Sequence, residues 1–302
     1  HGKQDKDLVI RVAKLHDSDH KVIALSSSDA DLTISNSLNK FNKIELDQII
    51  HLAAWTQAGD FCLTHPGEQW IINQKINTNI LSFWQHYHPK ALFVSMGTSC
   101  SYSPNLSLVE NNYLKGEPIE SLYTYAMTKR MLQIGLESLS SQFKLNYLTV
   151  VPSTLYGPNY HNDGRQMHFI FDLIRKILHS KKTGEKTILW GDGNQKRELV
   201  YIDDFISDLL CLTKRTKNQI VNIGAGEDYS IIDFAKTICE IIDYDYKKIE
   251  FDKSKYVGAK SKLLDTSKHS ILIGKQPKRT ELYDGLTKTI TWMKKFDFSK
   301  KR

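Results

Sequence analysis

Tyr125 and Lys129 stand four residues apart in Tyr-Ala-Met-Thr-Lys, in a stretch that reads as helix and follows a strand-like segment ending at Gly97-Thr98-Ser99-Cys100. One helical turn brings the phenol and the ammonium onto the same face. A cation there favours the phenolate, which lets a tyrosine serve as an acid-base group near neutral pH. The spacing alone arises often by chance, and taken alone it reads better as a buried tyrosine beside a solvated lysine. The catalytic reading depends on the elements that place the pair.

Those elements alternate. Strand-like and helix-like patterns succeed each other through the first half, the rhythm of a parallel sheet covered on both faces. Val22 to Leu25, Ile49 to Ala54, Ala91 to Met96 and Tyr147 to Pro152 read as strands, and Asn73 to Trp84 and Leu122 to Ser138 carry helical apolar periodicity. After Pro152 the rhythm changes, with turns at Tyr156-Gly157-Pro158 and Gly191-Asp192-Gly193, a strand from Leu199 to Ile202 and an amphipathic helix from Ile231 to Ile242. The expected fold class is α/β. A doubly wound Rossmann-type parallel sheet occupies 1–152, and a smaller α/β substrate-binding lobe occupies 153–302, with a segment near 195–225 returning to the first domain.

A nucleotide-binding fold of this kind begins with a buried strand and a Gly-rich turn that sets a phosphate on a helix N-terminus. Here His1-Gly2-Lys3-Gln4-Asp5-Lys6 leads straight into a helix-like Leu8 to Leu15. The first strand and at least one glycine are therefore expected upstream. With Gly2 as the middle glycine, Asp5 takes the third position, where its side chain crowds helix against sheet and brings negative charge near a pyrophosphate.

At 302 residues, with 40% hydrophobic and 25% charged residues, the chain has the composition of a globular protein with a substantial core. No apolar run is long enough to cross a bilayer and no charged-then-apolar leader opens the chain, so a cytoplasmic enzyme without a membrane partner is expected. Cys62, Cys100, Cys211 and Cys239 are scattered, without Cys-x-x-Cys or His-x-x-x-His spacing, which suggests neither a disulfide framework nor a metal site. The net charge of +7 comes from dispersed cations with short runs at Lys181-Lys182 and Lys300-Lys301-Arg302. A phosphate-bearing small substrate accounts for the surplus without nucleic acid.

Further segments complete the pattern: Ser26-Ser27-Ser28-Asp29-Ala30-Asp31-Leu32, His51-Leu52-Ala53-Ala54, Gly97 to Tyr102, Pro152 to Pro158, Trp190-Gly191-Asp192-Gly193, Arg197-Glu198, Asn222-Ile223-Gly224 and Lys262-Leu263-Leu264-Asp265. With them the chain resembles the extended short-chain dehydrogenase/reductase family, and within it the GDP-L-fucose synthase group of epimerase/reductases. The resemblance implies that Thr98 is the catalytic hydroxyl orienting a substrate carbonyl, that Tyr125 donates the proton and that Lys129 binds the nicotinamide ribose. This is sound chemistry, because hydride arriving at a ketone carbon builds charge on oxygen. Without Tyr125 and Lys129 beside it, Thr98 would be a strand-end threonine capping a turn.

By the same resemblance Cys100 is the epimerising cysteine and His168 its partner. A hydrogen next to a ketone is acidified, so a base removes it, an acid on the opposite ring face returns a proton, and the centre inverts. Taken singly, a buried apolar cysteine and a satisfied core histidine are the plainer readings. The resemblance also places Gly2, Ser26, Ser27, Ser28, Asp31, Leu52, Ala53, Ala54, Asn73, Pro152, Tyr125, Lys129 and His168 around the cofactor. Ser99, Lys176, Trp190, Arg197 and Lys262 fall around a nucleotide-diphosphate sugar, where cations suit a diphosphate and an aromatic suits a base. It implies a homodimer formed through the helix of Tyr125 and its neighbour.

Two departures bear on substrate and cofactor. Trp55-Thr56-Gln57-Ala58-Gly59-Asp60 replaces a glycine-rich loop and reshapes the sugar pocket. No acidic residue stands where a ribose 2'-hydroxyl is gripped, which favours NADP over NAD, yet Ser28 stands where a cation would hold the extra phosphate. The expected activity is inversion of C3 and/or C5 and NADPH-dependent reduction of C4 in an NDP-linked, GDP-type, 4-keto-6-deoxy-hexose or 4-keto-heptose. The alternatives are an epimerase alone, a C4 reductase alone, or a non-catalytic NAD(P)-binding scaffold.

Overall fold

Four short apolar runs build the central sheet. The strands β1 (Gln48–His51), β2 (Leu92–Met96), β3 (Tyr147–Pro152) and Gln219–Ile223 lie in that order, every pair parallel. The register sets His51 opposite Ser95, Met96 opposite Val150 and Pro152 opposite Ile223. Phe93, Val94, Leu148, Val150 and Val151 are wholly buried, as strands covered on both faces require. The structure, a computed structural model, describes residues 21–255, 260–274 and 278–296. Gly2, Asp5 and the Leu8 to Leu15 segment lie outside the described residues.

Two helices cover this sheet, Pro66–Tyr87 and Tyr123–Phe143, and they pack against each other. Pro66 opens the first at a position where a missing N–H costs nothing. At its far end Trp84 is fully buried and its indole donates to the Ala91 carbonyl (3.0 Å), folding the helix back onto β2. Gln133 ties the second helix to β3, accepting from the Thr149 hydroxyl (2.6 Å) and donating to Tyr147 Oη (3.4 Å). Trp84, Phe93, Leu132, Leu136 and Tyr147 form the core between helices and sheet, each large side chain worth roughly 1.5–3 kcal/mol in apolar burial.

The helical periodicity at Asn73 to Trp84 marks only the middle of a helix of 22 residues, whose outer turns are too polar to show a pattern. β1 ends at His51, short of the expected Ala54. Val22 to Leu25, expected as a strand, is paired with no neighbour among the described residues.

The chain divides into two compact units. The first runs to Pro152 and takes in Phe205–Ile223 and a further segment beginning at Asp265. The second comprises Ser153–Asp204, Gly224–Leu264 and the segment beginning at Pro277. Its core is separate, built from Ile170, Phe171, Ile174, Ile177, Phe234, Ile238, Leu286 and Met293. Thr187–Trp190 pairs in parallel with Ile249–Asp252, and Lys196–Arg197 pairs antiparallel with Tyr229–Ser230. The Ile231–Ile242 helix starts on a capping box in which Ser230 Oγ accepts from Asp233 N (3.1 Å) while Asp233 accepts from Ser230 N (3.0 Å).

Candidate active site

β2 ends at Met96, and Gly97 turns the chain into a short 3-10 turn over Ser99–Ser101. Only glycine fits there: a Cβ would lie 2.9 Å from both the Tyr113 hydroxyl and Val151 Cγ2. Thr98 caps the turn, its Oγ1 accepting from Cys100 N at 3.2 Å. The Tyr125 phenol lies near this hydroxyl, which works to lower its pKa. Lys129, one turn further along the helix and 6% exposed, donates from Nζ to the Met96 carbonyl at 2.9 Å. Thr98, Cys100, Tyr125 and Lys129 thus gather at the C-terminal end of β2, while Ser99 is half-buried in the same turn.

The electrostatics differ from what the spacing suggests. Burial pushes the Tyr125 phenol well above the usual tyrosine range; the Cys100, Tyr113 and Cys62 side chains add to this, and the Thr98 hydrogen bond opposes it. The expected pull of Lys129 toward neutrality does not prevail, because desolvation of the anion is larger. Beside them, buried His51 is held down at about 3, by burial first and then by the charge of Lys129, while its hydrogen bond to Asn77 Oδ1 (3.4 Å) opposes the shift. His51 is therefore neutral at pH 7.

The ends of β1, β2 and β3 carry half-buried Leu52, Ala53, Ala54, Thr98 and Pro152. These side chains are small or neutral, and the carboxyl edge of a parallel sheet is where this architecture takes a dinucleotide, so an uncharged edge of this kind fits a nicotinamide cofactor. Asn73 works behind this edge: its amide accepts from Trp55 N (2.8 Å) and donates to Trp55 O (3.0 Å) and Gln69 O (2.8 Å), clamping the loop after β1. Trp55 then packs edge-on to Phe61 (centroids 4.7 Å), which stacks on His65.

The Ser26 turn is built on Asp29, whose carboxylate accepts from Ser26 N (2.8 Å) and Ser26 Oγ (2.6 Å); Ser27 and Ser28 are exposed on it. Asp31 caps Thr33 and its carboxyl is held low by those hydrogen bonds. Lys40, which sequence reasoning missed, reaches back to donate to the Asp29 carbonyl at 2.8 Å. Eleven residues separate them, too far for any local pattern to show.

The second unit holds the remaining candidates. Lys176 pairs with Asp172 (3.0 Å) and lies over the ring of Trp190 (5.9 Å), which is 58% exposed. Arg197 is half-buried and donates to the Lys196 carbonyl (2.7 Å). Buried Glu198 accepts from Gly226 N (3.0 Å) and Leu264 N (3.1 Å), fixing the backbone beside Lys262. His168 caps the Phe169–Thr183 helix and its N–H donates to Tyr160 Oη at 3.0 Å. The surrounding protein, then the charges of Lys262 and Arg197, push its imidazole down to about 4. Those influences favour the uncharged imidazole at pH 7.

Among the described residues no three His, Cys, Asp or Glu side chains gather into a metal-binding group, and no helix is long and apolar enough to cross a membrane. The family model for the NAD dependent epimerase/dehydratase family matches residues 8–224. GDP-L-colitose synthase of Yersinia pseudotuberculosis is 28% identical over 264 residues, covering 85% of each chain. GDP-L-fucose synthase 1 of Arabidopsis thaliana is 29% identical over 289 residues, covering 93% of this chain and 88% of its own. The solved GDP-L-fucose synthetase from Naegleria fowleri bound to NADP has the same fold, with a TM-score of 0.84 at 22% identity over 97% of this chain and 92% of that one. A family match of that extent, on a sheet of this order, decides the matter: the chain belongs to the NAD dependent epimerase/dehydratase family, within the extended short-chain dehydrogenases/reductases, and is an NAD(P)-dependent enzyme.

Proposed function

We propose that this enzyme takes a GDP-linked 4-keto-6-deoxy-hexose or 4-keto-heptose, inverts C3 and/or C5, and reduces C4 with NADPH. The observation that carries the reading is the gathering of Thr98, Cys100, Tyr125 and Lys129 at the end of β2, where Thr98 Oγ1 accepts from Cys100 N and Lys129 donates to the Met96 carbonyl. When bound, the nicotinamide supplies the hydride. Tyr125, kept protonated at neutral pH by burial, gives its proton to the C4 oxygen, and Thr98 orients that oxygen. Lys129 holds the ribose and offsets the charge left on the phenolate.

Inversion is assigned to Cys100 and His168 as acid and base. His168 is held uncharged but weakly basic, and a diphosphate held by Arg197 and Lys262 would offset the two charges that keep its pKa low and raise its basicity. Lys176 and Trp190 offer a cation and an exposed ring to the nucleotide. The names of the relatives support GDP as that nucleotide.

Lys40 beside the Ser26 turn supplies the cation that Ser28 does not, which favours NADP. Lys40→Met should lower kcat/KM for NADPH several-fold relative to NADH, and an unchanged ratio removes that support. Exposed Trp70 and Ile71 on one covering helix and Tyr123, Met131 and Ile134 on the other suit a second copy of the chain. Four unpaired cysteines suit the cytoplasm.

The deciding experiment is incubation with a 4-keto nucleotide sugar in deuterated water, followed by NMR of the product. Wild type should incorporate deuterium next to C4, and Cys100→Ser and His168→Asn should slow this roughly 100-fold while sparing hydride transfer to a substrate that needs no inversion. Absence of deuterium in the wild-type product leaves a C4 reductase; equal incorporation by the variants assigns inversion to other groups.

A further inference from the structure

Arg130 follows Lys129 on the Tyr123–Phe143 helix and is 5% exposed, yet among the described residues its acceptors are backbone carbonyls. Nε and Nη2 donate to Ser101 O (3.0 and 2.6 Å), Nη2 also to Lys115 O (2.9 Å), and Nη1 to Gly116 O (2.7 Å) and, more weakly, Leu114 O (3.5 Å). Burying a cation without a carboxylate is costly, and an apolar side chain would pack there at less expense. What arginine adds is a rigid fork of five donors that holds two segments at once.

One segment is the turn that carries Thr98 and Cys100. Ser101 Oγ donates to Ala126 O (3.4 Å), and the hydroxyl of the fully buried Tyr113 accepts from Thr98 N (3.4 Å). The other segment is the Leu114 to Gly116 turn. Gly116 has φ +62°, and a Cβ there would lie 2.8 Å from Ser103 Cβ, so the two segments are in direct contact.

We infer that Arg130 is a positioning residue for the reaction, pinning the Thr98–Ser103 turn against Leu114–Gly116 and so fixing where Thr98 and Cys100 stand relative to Tyr125. It reaches the chemistry only through that backbone. The functional consequence rests on the roles proposed above for Thr98 and Cys100; the mechanical part does not.

Arg130→Met removes all five donors while keeping the apolar stem, and Arg130→Lys retains a cation able to bond part of the same set. Amide hydrogen exchange read by mass spectrometry should accelerate roughly 10-fold or more in Arg130→Met over 98–103 and 113–117, with 147–152 unchanged. Deuterium incorporation next to C4 should fall roughly 10-fold with the KM for NADPH within about twofold, since misplacing a reacting group costs rate rather than cofactor binding. Arg130→Lys should recover part of both. Unchanged amide exchange in the two segments, or acceleration spread evenly over the chain, overturns the inference, as does a full wild-type incorporation rate in Arg130→Met. If wild type incorporates no deuterium, the epimerising role falls, and the amide exchange together with kcat for NADPH oxidation still decides Arg130. Should Arg130→Met not fold, Arg130→Lys carries the same readouts at smaller amplitude.

Discussion

In the first unit the candidate reacting groups are tied to the backbone around them: Thr98 Oγ1 accepts from Cys100 N and Lys129 donates to Met96 O. In the second unit the candidate binding groups reach outward, with Trp190 58% exposed and Lys176 restrained by Asp172 at its helix surface. Firm support there sits one layer back, in Glu198, which holds the Gly226 and Leu264 amides. The contrast follows from the tasks. Proton transfer to C4 tolerates little misplacement, so Thr98, Tyr125 and Lys129 are pre-placed at the cost of burial, whereas a diphosphate needs cations it can reach from solvent; His168, the proton-transfer candidate of the second unit, is exposed like those cations.

Tyr125→Phe tests the first half most severely. It removes one transferable proton and keeps the ring, so NADPH oxidation should fall by roughly 10²–10⁴-fold with nucleotide-sugar binding nearly intact. Steady-state oxidation and isothermal titration read the two quantities. A variant that keeps most of its rate would show that the phenol is merely packed.

Arg197→Ala tests the second half and should behave in the opposite way. Losing a charge-assisted bond worth about 1.5–3 kcal/mol should raise the KM for the nucleotide sugar by roughly 10–100-fold, with a smaller change in kcat. If kcat falls and KM does not move, Arg197 acts on the reacting atoms and the division of labour between the units fails.

The smallest effect is on stability in acid. His51 in the first unit and His161 and His168 in the second are held at about 3, 4 and 4, below their ordinary 6.5. The unfolded chain therefore binds more protons than the folded one between those values, so stability is full above pH 6.5 and declines as pH falls toward 4. His51→Gln should flatten the fall of Tm over that window more than His168→Gln, because His51 is 3% exposed whereas His168 is open to solvent. Equal slopes would mean that burial does not distinguish the two sites.

Local pattern was enough for part of this molecule. β2 and β3 were legible because strands covered on both faces are continuous apolar runs. The Ile231–Ile242 helix was legible from its amphipathic period, and Tyr125 and Lys129 because a helical turn is a local rule. The segments of family resemblance lie around the sheet edge and the cations of the second unit. What tertiary structure alone decided involves groups distant in sequence. Val22 to Leu25 has the composition of a strand, but among the described residues no strand pairs with it. Lys40 meets Asp29 and Asn73 meets Trp55 across 11 and 18 residues. The pKa directions of Tyr125 and His168 depend on burial and on charges contributed by other elements, and Arg130 finds its carbonyls on two loops. Periodicity and capping follow from steric rules within one or two turns, whereas desolvation, ladder pairing and the satisfaction of a buried cation are fixed by what the fold brings alongside.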